Sequence, residues 1–372
     1  MTGDLHCHSR ASDGSMDVED IVNFAKEKGL SYLAITDHDS FLGVERASEA
    51  GKRVGLEIIM ANEISCFDYE RNRPVHILCY APVLKKEINK ICDETLKRRN
   101  ESGLKMIELV KKYYPVSKEQ INKYCSQSGI IYKQHIMNSI LDMGYTSEMY
   151  GDISKELFNC KTGKCYVHIE YPDVEKVVKI IKNSGGVAVV AHPIEFNSFD
   201  IIERLAENKM IDGIEINHPS ARGKDEEKAQ LEQLAKKYNL ILTGGTDFHG
   251  FYSSEPEPIG SYTTDENNLN KLLELIKTKN FAIKEKNHMQ LNYTTIGTCS
   301  KEINIEIDEN AVITKVHFLG GCQGNLLGIS QLVVGMKAED VIDKFKDVKC
   351  GSKATSCPDQ LAIALKRMLD KR

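Results

Sequence analysis

Two histidines separated by one residue lie near the start of the chain, and an aspartate follows them closely. The stretch GDLHCHSRASDG contains His6, His8 and Asp13. Side chains two positions apart in a β-strand point to the same side, so His6 and His8 can hold one ion. The stretch TDFHG repeats this spacing with Asp247 and His249. Histidines and carboxylates at such spacing indicate metal binding.

Other histidines and a glutamate fall in or at the ends of further strand-like runs. Taken singly, each histidine could be an ordinary hydrogen-bonded residue of the core or of a loop. Six histidines spread over five strands, with carboxylates close to several of them, favour a shared site instead. The predicted metal ligands are His6, His8, Asp13, His38, Glu63, His76, His192, Asp247 and His249.

This ligand set predicts both the kind of metal and the kind of reaction. A mixture of histidine, aspartate and glutamate without cysteine suits manganese, iron or zinc better than magnesium or calcium. Nine ligands exceed what one or two ions need, so we expect three divalent metal ions. Three ions and three carboxylates leave an excess charge of about +3, which suits an anionic substrate and a bound hydroxide. The sequence therefore predicts hydrolysis of a phosphate ester.

The elements that must position these residues follow an alternating pattern. Amphipathic segments such as 17–28, 173–184 and 224–238 separate short apolar runs rich in β-branched residues. This alternation predicts an α/β fold, a barrel of seven buried parallel strands whose carboxyl ends converge on one face. The predicted strands are 3–9, 31–37, 57–65, 74–80, 187–192, 213–217 and 240–247.

One segment interrupts this pattern. From about 83 to 170 the sequence is helical, rich in lysine and without strand-like runs. We interpret it as a helical insertion over the mouth of the barrel. A polar linker at about 285–294 then leads to a C-terminal segment of different character, which predicts a small α+β domain.

Composition limits the classes of partner. The chain has 372 residues, 41% hydrophobic content, a net charge of −5 and a pI of about 6.2. Such a charge argues against a duplex-DNA binder, although a few local cations suffice for a short nucleotide ligand. Neither an export signal nor a long apolar run is evident, so we expect a cytoplasmic protein without a membrane partner. Its eleven cysteines then read as free thiols or metal ligands.

At this point the motifs resemble a known family. DLHCHSRASDG, AITDHDS, NEIS, HIL, AHP and TDFHG, within residues 1–290, look like the successive motifs of the PHP superfamily, named for polymerase and histidinol phosphatase. The resemblance implies a distorted seven-stranded (β/α) barrel with three metals. The implied ligand sets are His6, His8, Glu63 and Asp247; Glu63 again, with His76 and His192; and Asp13, His38 and His249.

The resemblance also implies a mechanism. A hydroxide between the first two metals would attack phosphorus while the third metal neutralises a phosphate oxygen. The residues expected to serve catalysis are Asp13, His38, Glu63 and Asp247. Of the neighbouring residues, Asp37 is expected to have a structural role, and Asp39 or Ser40 to cap the following helix.

The insertion suggests a substrate class. It places the chain nearest the branch of the family that hydrolyses nucleotide phosphates, including 3′,5′-nucleoside bisphosphates and the 5′ ends of short RNAs. That branch has an Arg-Pro-His run that meets the phosphate, where this chain has Lys133, Gln134 and His135. Lysine can contact phosphate, but without the bidentate geometry of arginine. Arg99 could supply that geometry or lie on a solvated helix face, and His218 is a further candidate for phosphate binding or metal support.

The C-terminal segment 294–372 resembles the TSCPD domain, named for residues 355–359. That domain also occurs at the end of cobalamin-dependent ribonucleotide reductases, which implies a context of nucleotide metabolism. Four cysteines, Cys299, Cys322, Cys350 and Cys357, match the number in a tetrahedral metal site, but their spacing lacks a CxxC knuckle. Cys357 stands at the start of the last predicted helix, so a reactive thiolate is the other interpretation.

Two other functions compete with the phosphoesterase. The barrel could be a non-catalytic scaffold, with the C-terminal domain binding a partner in response to metal or redox state. Alternatively, the metals could hydrolyse an amide or a lactone. The intact ligand set argues against the first, and the surplus positive charge disfavours the second.

Overall fold

A computed structural model describes residues 1–253 and 255–371, without the side chains of residues 286 and 287. The chain divides into two compact units, Met1–Lys279 and Asn280–Arg372. The first contains a seven-stranded sheet and the second a three-stranded sheet. The sequence predicted the break between residues 290 and 294, about ten residues further along the chain.

The strands of the first unit pair in chain order. They are β1 (Gly3–Cys7), β2 (Tyr32–Ile35), β3 (Glu57–Asp68), β4 (Arg73–Tyr80), β5 (Val187–Val190), β6 (Gly213–Asn217) and β7 (Ile241–Gly244). The sheet is curved so that its two edges meet. The His8 N–H, just after β1, donates to the Phe248 carbonyl, just after β7, at 2.8 Å. The predicted seven-stranded barrel is confirmed as a nearly closed one.

The prediction of seven parallel strands is wrong for β4. This strand pairs antiparallel with both β3 and β5, whereas the other neighbours pair in parallel. Only residues 69–72 separate β3 from β4, and a parallel neighbour would need a crossover of a dozen residues or more. The short turn therefore makes a hairpin, and β3 extends to Asp68 rather than ending at residue 65.

The first unit also contains helices that either cover the outside of the sheet or form the insertion. They are α1 (Val18–Glu27), α2 (Val44–Val54), α3 (Lys86–Val110), α4 (Lys118–Asn122), α5 (Lys133–Asp142), α6 (Asp152–Phe158), α7 (Val174–Asn183), α8 (Phe199–Glu207), α9 (Asp225–Tyr238) and α10 (Glu266–Asn287). Asp17 and Asp173 cap α1 and α7 by accepting N–H groups of the first turn. Val177, Ile202 and Leu231 of the outer helices pack in one buried cluster with strand residues.

The helical insertion is present as predicted. Helices α3–α6 fill most of residues 83–170, a fully described segment that contains no strand. The insertion has its own core, in which Met106, Ile107, Ile136 and Leu157 are buried together. Its helices can therefore hold side chains rigidly.

The second unit is a small α+β domain. Strands β8 (Met289–Thr294), β9 (Ser300–Ile307) and β10 (Ile313–Gly320) are antiparallel, and α11 (Gln323–Val333), α12 (Ala338–Phe345) and α13 (Cys357–Leu369) complete the unit. The predicted linker at 285–294 is wrong, because these residues form the end of α10 and β8. None of the helices described is long and apolar enough to cross a membrane.

Candidate metal centre

The nine predicted ligands meet at one end of the barrel. His6, Glu63 and His76 lie within strands, and the other six follow β1, β2, β5 or β7. His76 lies in the first half of β4, opposite Ser65 of β3. Because β4 runs antiparallel to its neighbours, this half of the strand reaches the rim where the parallel strands end. The reversal that the sequence did not predict is thus what brings His76 to the site.

Four of these side chains form a close cage. The Nε2 atoms of His6 and His8 are 3.2 Å apart. Glu63 Oε2 lies 3.3 Å from the first and 3.2 Å from the second, and Asp247 Oδ1 lies 3.3 and 3.1 Å from them. Two ligands that bind one ion tetrahedrally at about 2.0 Å, a usual Zn–N bond length, lie about 3.3 Å apart, so these five separations suit a single ion. The cage matches the first ligand set implied by the family resemblance.

Two further groups adjoin this cage. His8, Asp13, His38 and His249 place ligand atoms within 4.8 Å of one another. On the other side, Glu63 Oε1 contacts His76 Nδ1 at 2.9 Å and His192 Nε2 at 2.8 Å. Glu63 therefore faces both the cage and this pair, as expected of a residue that bridges two metals.

Buried atoms without partners provide a test of whether metals fit. Among the described residues, several buried side-chain atoms at this rim lack a hydrogen bond, and they belong to His8, Asp13, His38, His192, His218 and Asp247. Polar atoms left in this way cost free energy unless a ligand satisfies them. Nitrogen and carboxylate oxygen are suitable ligands for manganese, iron and zinc. The residues present thus fit divalent metals.

The electrostatics of the rim favour the same ligands. Burial would raise the pKa of Glu63, but the charges of His76, His38 and His6 hold it well below its usual range. Burial would lower the pKa of His8, but Asp247 and Glu63 raise it to about 10. Without a metal, the carboxylates therefore retain their charge and hold protons on nearby imidazoles. Metal binding would displace these protons.

Sequence reasoning missed Glu215, a buried carboxylate of β6. Both of its oxygens lie 3.1 Å from His6 Nδ1, and Oε2 also accepts the His192 N–H at 2.9 Å. This contact leaves His6 Nε2 facing the cage. The available signal was a single acidic residue inside the apolar run GIEIN.

Two of the predicted ligands have a strained backbone. His192 and Asp247 adopt positive φ angles of 26° and 48°, a conformation that the packing around them must hold.

Two cavities meet at the metal centre. A wide one of about 670 Å³ exposes most of the predicted ligands, and a smaller one of about 220 Å³ extends under the insertion. Asp13, His38, His76 and Gln134 line both. Gln134 donates to Asp13 Oδ2 at 3.1 Å and thus lies where the two cavities join.

The smaller cavity contains two predicted substrate-binding cations. The side chain of Arg99 is only 12% exposed, and it pairs with Asp39 Oδ2 at 3.1 Å between the rings of Tyr132 and Tyr171. The alternative that Arg99 lies on a solvated helix face is therefore wrong. Lys133 lies over the Tyr166 ring, and burial, with the charge of Arg99, lowers its pKa. A phosphate in this cavity would meet both cations.

The other two predicted substrate ligands differ from each other. His218 lines the wide cavity, with Nε2 at 3.5 Å from Asp247 Oδ2. His135 is fully buried in the insertion and lines neither cavity. Its Nδ1 accepts the Tyr132 N–H at 3.3 Å, so it stabilises the first turn of α5.

Two predictions about the loop after β2 have different outcomes. Asp37 accepts hydrogen bonds from Ser9 and Ser12, which agrees with a structural role. Neither Asp39 nor Ser40 caps the following helix, since α2 begins at Val44 after Gly43. Asp39 instead accepts the Ser65 N–H at 2.9 Å and pairs with Arg99, which links β3 to the insertion.

Of the four C-terminal cysteines, Cys299, Cys322 and Cys350 lie on loops of the second unit, and Cys357 is the first residue of α13. Cys299, Cys322 and Cys350 are exposed, and Cys357 is half-buried. Within the described residues, no three of their sulfurs lie within 4.8 Å of one another. Lys353 Nζ is 3.0 Å from Cys299 Sγ, and the Ser300 hydroxyl is 3.3 Å from Cys357 Sγ.

Comparison with known proteins gives matches for both units. The PHP domain model matches residues 4–187, and the TSCPD domain model matches residues 277–369. A phosphoribosyl 1,2-cyclic phosphate 1,2-diphosphodiesterase of Eggerthella lenta is 36% identical over 262 residues, covering 69% of this chain and 97% of the relative. The 5′-3′ exoribonuclease Rnm of Escherichia coli is 28% identical over 249 residues, covering 66% and 84%. A structure described as a metal-dependent phosphoesterase of Bifidobacterium adolescentis matches with a TM-score of 0.67 and 26% identity, covering 73% of this chain and 96% of that one.

Proposed function

This chain belongs to the PHP family of metal-dependent phosphoesterases, and we propose that it hydrolyses a phosphate ester of a ribose that carries a second phosphate. Nucleoside bisphosphates, the 5′ ends of short oligonucleotides and phosphorylated ribose itself share this chemistry. Three divalent ions, each manganese, iron or zinc, are the proposed cofactors.

The observation that carries the proposal is the group of buried histidines and carboxylates at the open end of the barrel, several of which have a nitrogen or oxygen atom without a hydrogen bond. The cage around Glu63 and Asp247 faces a cavity of about 670 Å³, large enough for a nucleotide. Bound divalent ions would neutralise phosphate charge and make water acidic enough to act as a nucleophile near neutral pH. Asp13, His38, Glu63 and Asp247 are the residues to which we assign this role.

The residues of the chain perform the remaining tasks. Glu63 contacts the cage through Oε2 and contacts His76 and His192 through Oε1, so it would belong to the ligand groups of two neighbouring ions. Gln134 holds Asp13 by a hydrogen bond, so that the carboxylate keeps one orientation. His218, beside Asp247, is placed to donate a hydrogen bond to a phosphate oxygen in the wide cavity.

The substrate class rests on the smaller cavity. Arg99 and Lys133 place two largely buried cations there, and such cations recognise phosphate strongly. The cavity adjoins the metals, so a substrate with two phosphates could place one at each position. The two relatives act on ribose phosphates according to their names, which supports the same class.

The proposal is tested by hydrolysis of a panel of substrates with defined metals, read as released phosphate or, for the dinucleotide, as released mononucleotide. The panel contains a 3′,5′-nucleoside bisphosphate, a 5′-phosphorylated dinucleotide, phosphoribosyl 1,2-cyclic phosphate and a plain mononucleotide. We expect at least one of the first three substrates to be hydrolysed faster than the mononucleotide. His6→Ala and Asp247→Ala should lose both this activity and the bound metal. Metal-loaded protein that hydrolyses amides or lactones and no phosphate ester would contradict it.

The variant Lys133→Ala separates substrate recognition from metal binding. Because Lys133 lines the smaller cavity and is absent from the ligand groups, we expect unchanged metal content and a KM raised about tenfold for substrates with two phosphates. Lys161→Ala, an exposed lysine of the insertion, is the matched control. An equal effect of Lys133→Ala on the plain mononucleotide would place the second phosphate elsewhere.

A further inference from the structure

The second unit brings three cysteine-bearing loops together around Ser300, the first residue of β9. Ser300 pairs with Gly320 of β10, so Cys299 and Cys322 lie on adjoining loops at the same end of the sheet. The buried Ser300 hydroxyl also donates to Cys357 Sγ, at the start of α13. Three cysteines from separate parts of the sequence thus meet at one end of a small sheet.

The fourth cysteine joins this group through a lysine. Lys353 donates from its backbone N–H to the Cys350 carbonyl at 3.1 Å, and its ammonium group reaches Cys299 Sγ at 3.0 Å. This contact, together with the nearby charges of Cys350 and Cys357, raises the pKa of Lys353. The lysine therefore remains a cation beside the sulfur of Cys299, and the charges of Cys350 and Cys357 are near enough to act on it.

The surroundings of Cys357 also favour its thiolate form. Burial would raise the pKa of Cys357, but hydrogen bonds from Ser300 and from the Cys299 N–H lower it. Six of the seven other cysteines are buried, and Cys160 of the insertion is the remaining exposed one. A thiolate with N–H and O–H donors beside a cation is both a metal ligand and a nucleophile.

We propose that Cys299, Cys322, Cys350 and Cys357 bind one thiophilic divalent ion, such as zinc, separate from the barrel metals. Four thiols release four protons as they coordinate the ion, and the resulting complex carries a charge of about −2, which Lys353 partly offsets. The sulfurs must move closer together when the ion binds. All four cysteines belong to the described residues, and no three of their sulfurs lie within 4.8 Å of one another. Gly321 and Gly351, with positive φ, lie on two of the loops that must move.

Cobalt reports this site selectively in the full chain. Thiolate ligands give Co²⁺ an intense near-ultraviolet charge-transfer band, and the described ligand groups of the barrel contain histidine and carboxylates alone. We expect the reduced protein to develop this band with one equivalent of cobalt bound to sulfur. Cys299→Ser and Cys357→Ser should lose most of its intensity, and Cys160→Ser, the exposed control, should retain it. Absence of the band in the wild type, or its full retention in both loop variants, would overturn the proposal.

Alkylation of the wild type avoids variants that fail to fold. Zinc added to the reduced full chain should protect the four C-terminal cysteines from iodoacetamide, as read by mass spectrometry of peptides, and leave Cys160 reactive. No protection of the four would overturn the proposal. A Cys299–Cys357 disulfide in air, together with no cobalt band after reduction, would instead identify the loops as a redox pair.

Discussion

Glu215 fixes the orientation of one imidazole and the backbone beside another. Its carboxylate accepts from His6 Nδ1–H, so Nε2 must face the cage, and it also holds the His192 N–H. A carboxylate behind a metal-binding histidine sets the tautomer and raises the basicity of the ligand. A neutral amide of the same size keeps the shape but weakens both effects.

We therefore predict that Glu215→Gln lowers metal affinity by about tenfold to a hundredfold without unfolding the barrel. The measurement is metal content after dialysis against a weak chelator, with thermal unfolding as the check on the fold. Glu226→Gln makes the same exchange at an exposed position of α9, where we expect no change. Unchanged affinity in Glu215→Gln would show that His6 keeps its orientation without this carboxylate.

At the residue scale, sequence periodicity predicted the candidate metal ligands but not the buried polar contacts that hold the site in place. His6 and His8 were identified because alternation in a strand depends only on local spacing. Glu215 and Arg99 act through partners more than fifty residues away, such as His6 and Asp39. Such contacts depend on how distant segments pack, which local spacing does not reveal.

At the scale of elements, closure of the barrel depends on a glycine after β7. A Cβ atom added at Gly245 would lie 2.4 Å from the Cβ of His6 and 2.5 Å from the backbone nitrogen of His6.

 Both distances are far below van der Waals contact, and the atoms they involve belong to the backbone and Cβ of a strand that cannot move freely. The packing of β7 against β1 therefore requires a glycine here.

We predict that Gly245→Ala destabilises the protein by roughly 1–3 kcal/mol, because the added methyl group forces β1 and His6 outwards. Metal content should fall with it, since His6 belongs to the cage. Denaturant unfolding and metal analysis measure the two effects. Gly328→Ala in α11, where an added Cβ meets no atom within 4 Å, should leave metal content unchanged. Normal stability in Gly245→Ala would mean that the two strands can separate without cost.

The insertion contains a histidine whose protonation opposes folding. Burial lowers the pKa of His135 to about 4, whereas an exposed histidine has a pKa near 6.5. The unfolded chain therefore binds this proton more readily, and the contribution of His135 to stability falls as pH decreases from about 6.5 to 4. Over that range the loss amounts to about 3 kcal/mol.

We predict that His135→Gln is less sensitive to acid than the wild type in this range. Glutamine cannot take up the proton, and at the third position of α5 it can still accept the Tyr132 N–H. The measurement is the free energy of unfolding of both proteins at pH 7 and pH 4.5, in the presence of chelator so that metal release is the same. Parallel losses in the two proteins would show that His135 does not titrate on unfolding.

The elements themselves were predictable to different degrees. The barrel strands and the helical insertion follow from apolar periodicity, and their positions agree with the structure to within a few residues. The direction of β4 depends on the length of the turn at 69–72, a signal that the sequence contained but that periodicity does not measure. Half of the residues of β8, MQLNYT, are polar, so composition predicts a linker where the structure has a strand.

At the scale of the whole molecule, the two units have separate cores. Every predicted barrel ligand belongs to Met1–Lys279, and the C-terminal cysteines belong to Asn280–Arg372. Helix α10 runs across this boundary, and its residues Leu269 and Leu272 complete a buried cluster with Leu5 and Val189. A cut within the first turns of α10 would therefore open the barrel core, and a cut after the helix would not.

We predict that a chain ending at residue 287 folds, binds its barrel metals and hydrolyses the preferred substrate within about twofold of the full-length rate. The reason is that such a chain keeps the ligands, both cavities and the α10 residues that close the core. Circular dichroism, metal analysis and phosphate release are measured side by side with the full chain. A chain ending at residue 265, which removes Leu269 and Leu272, should instead lose its fold. If the chain ending at 287 were folded and metal-loaded but inactive, the C-terminal unit would have to take part in the reaction, and the phosphoesterase site would not be complete within the barrel.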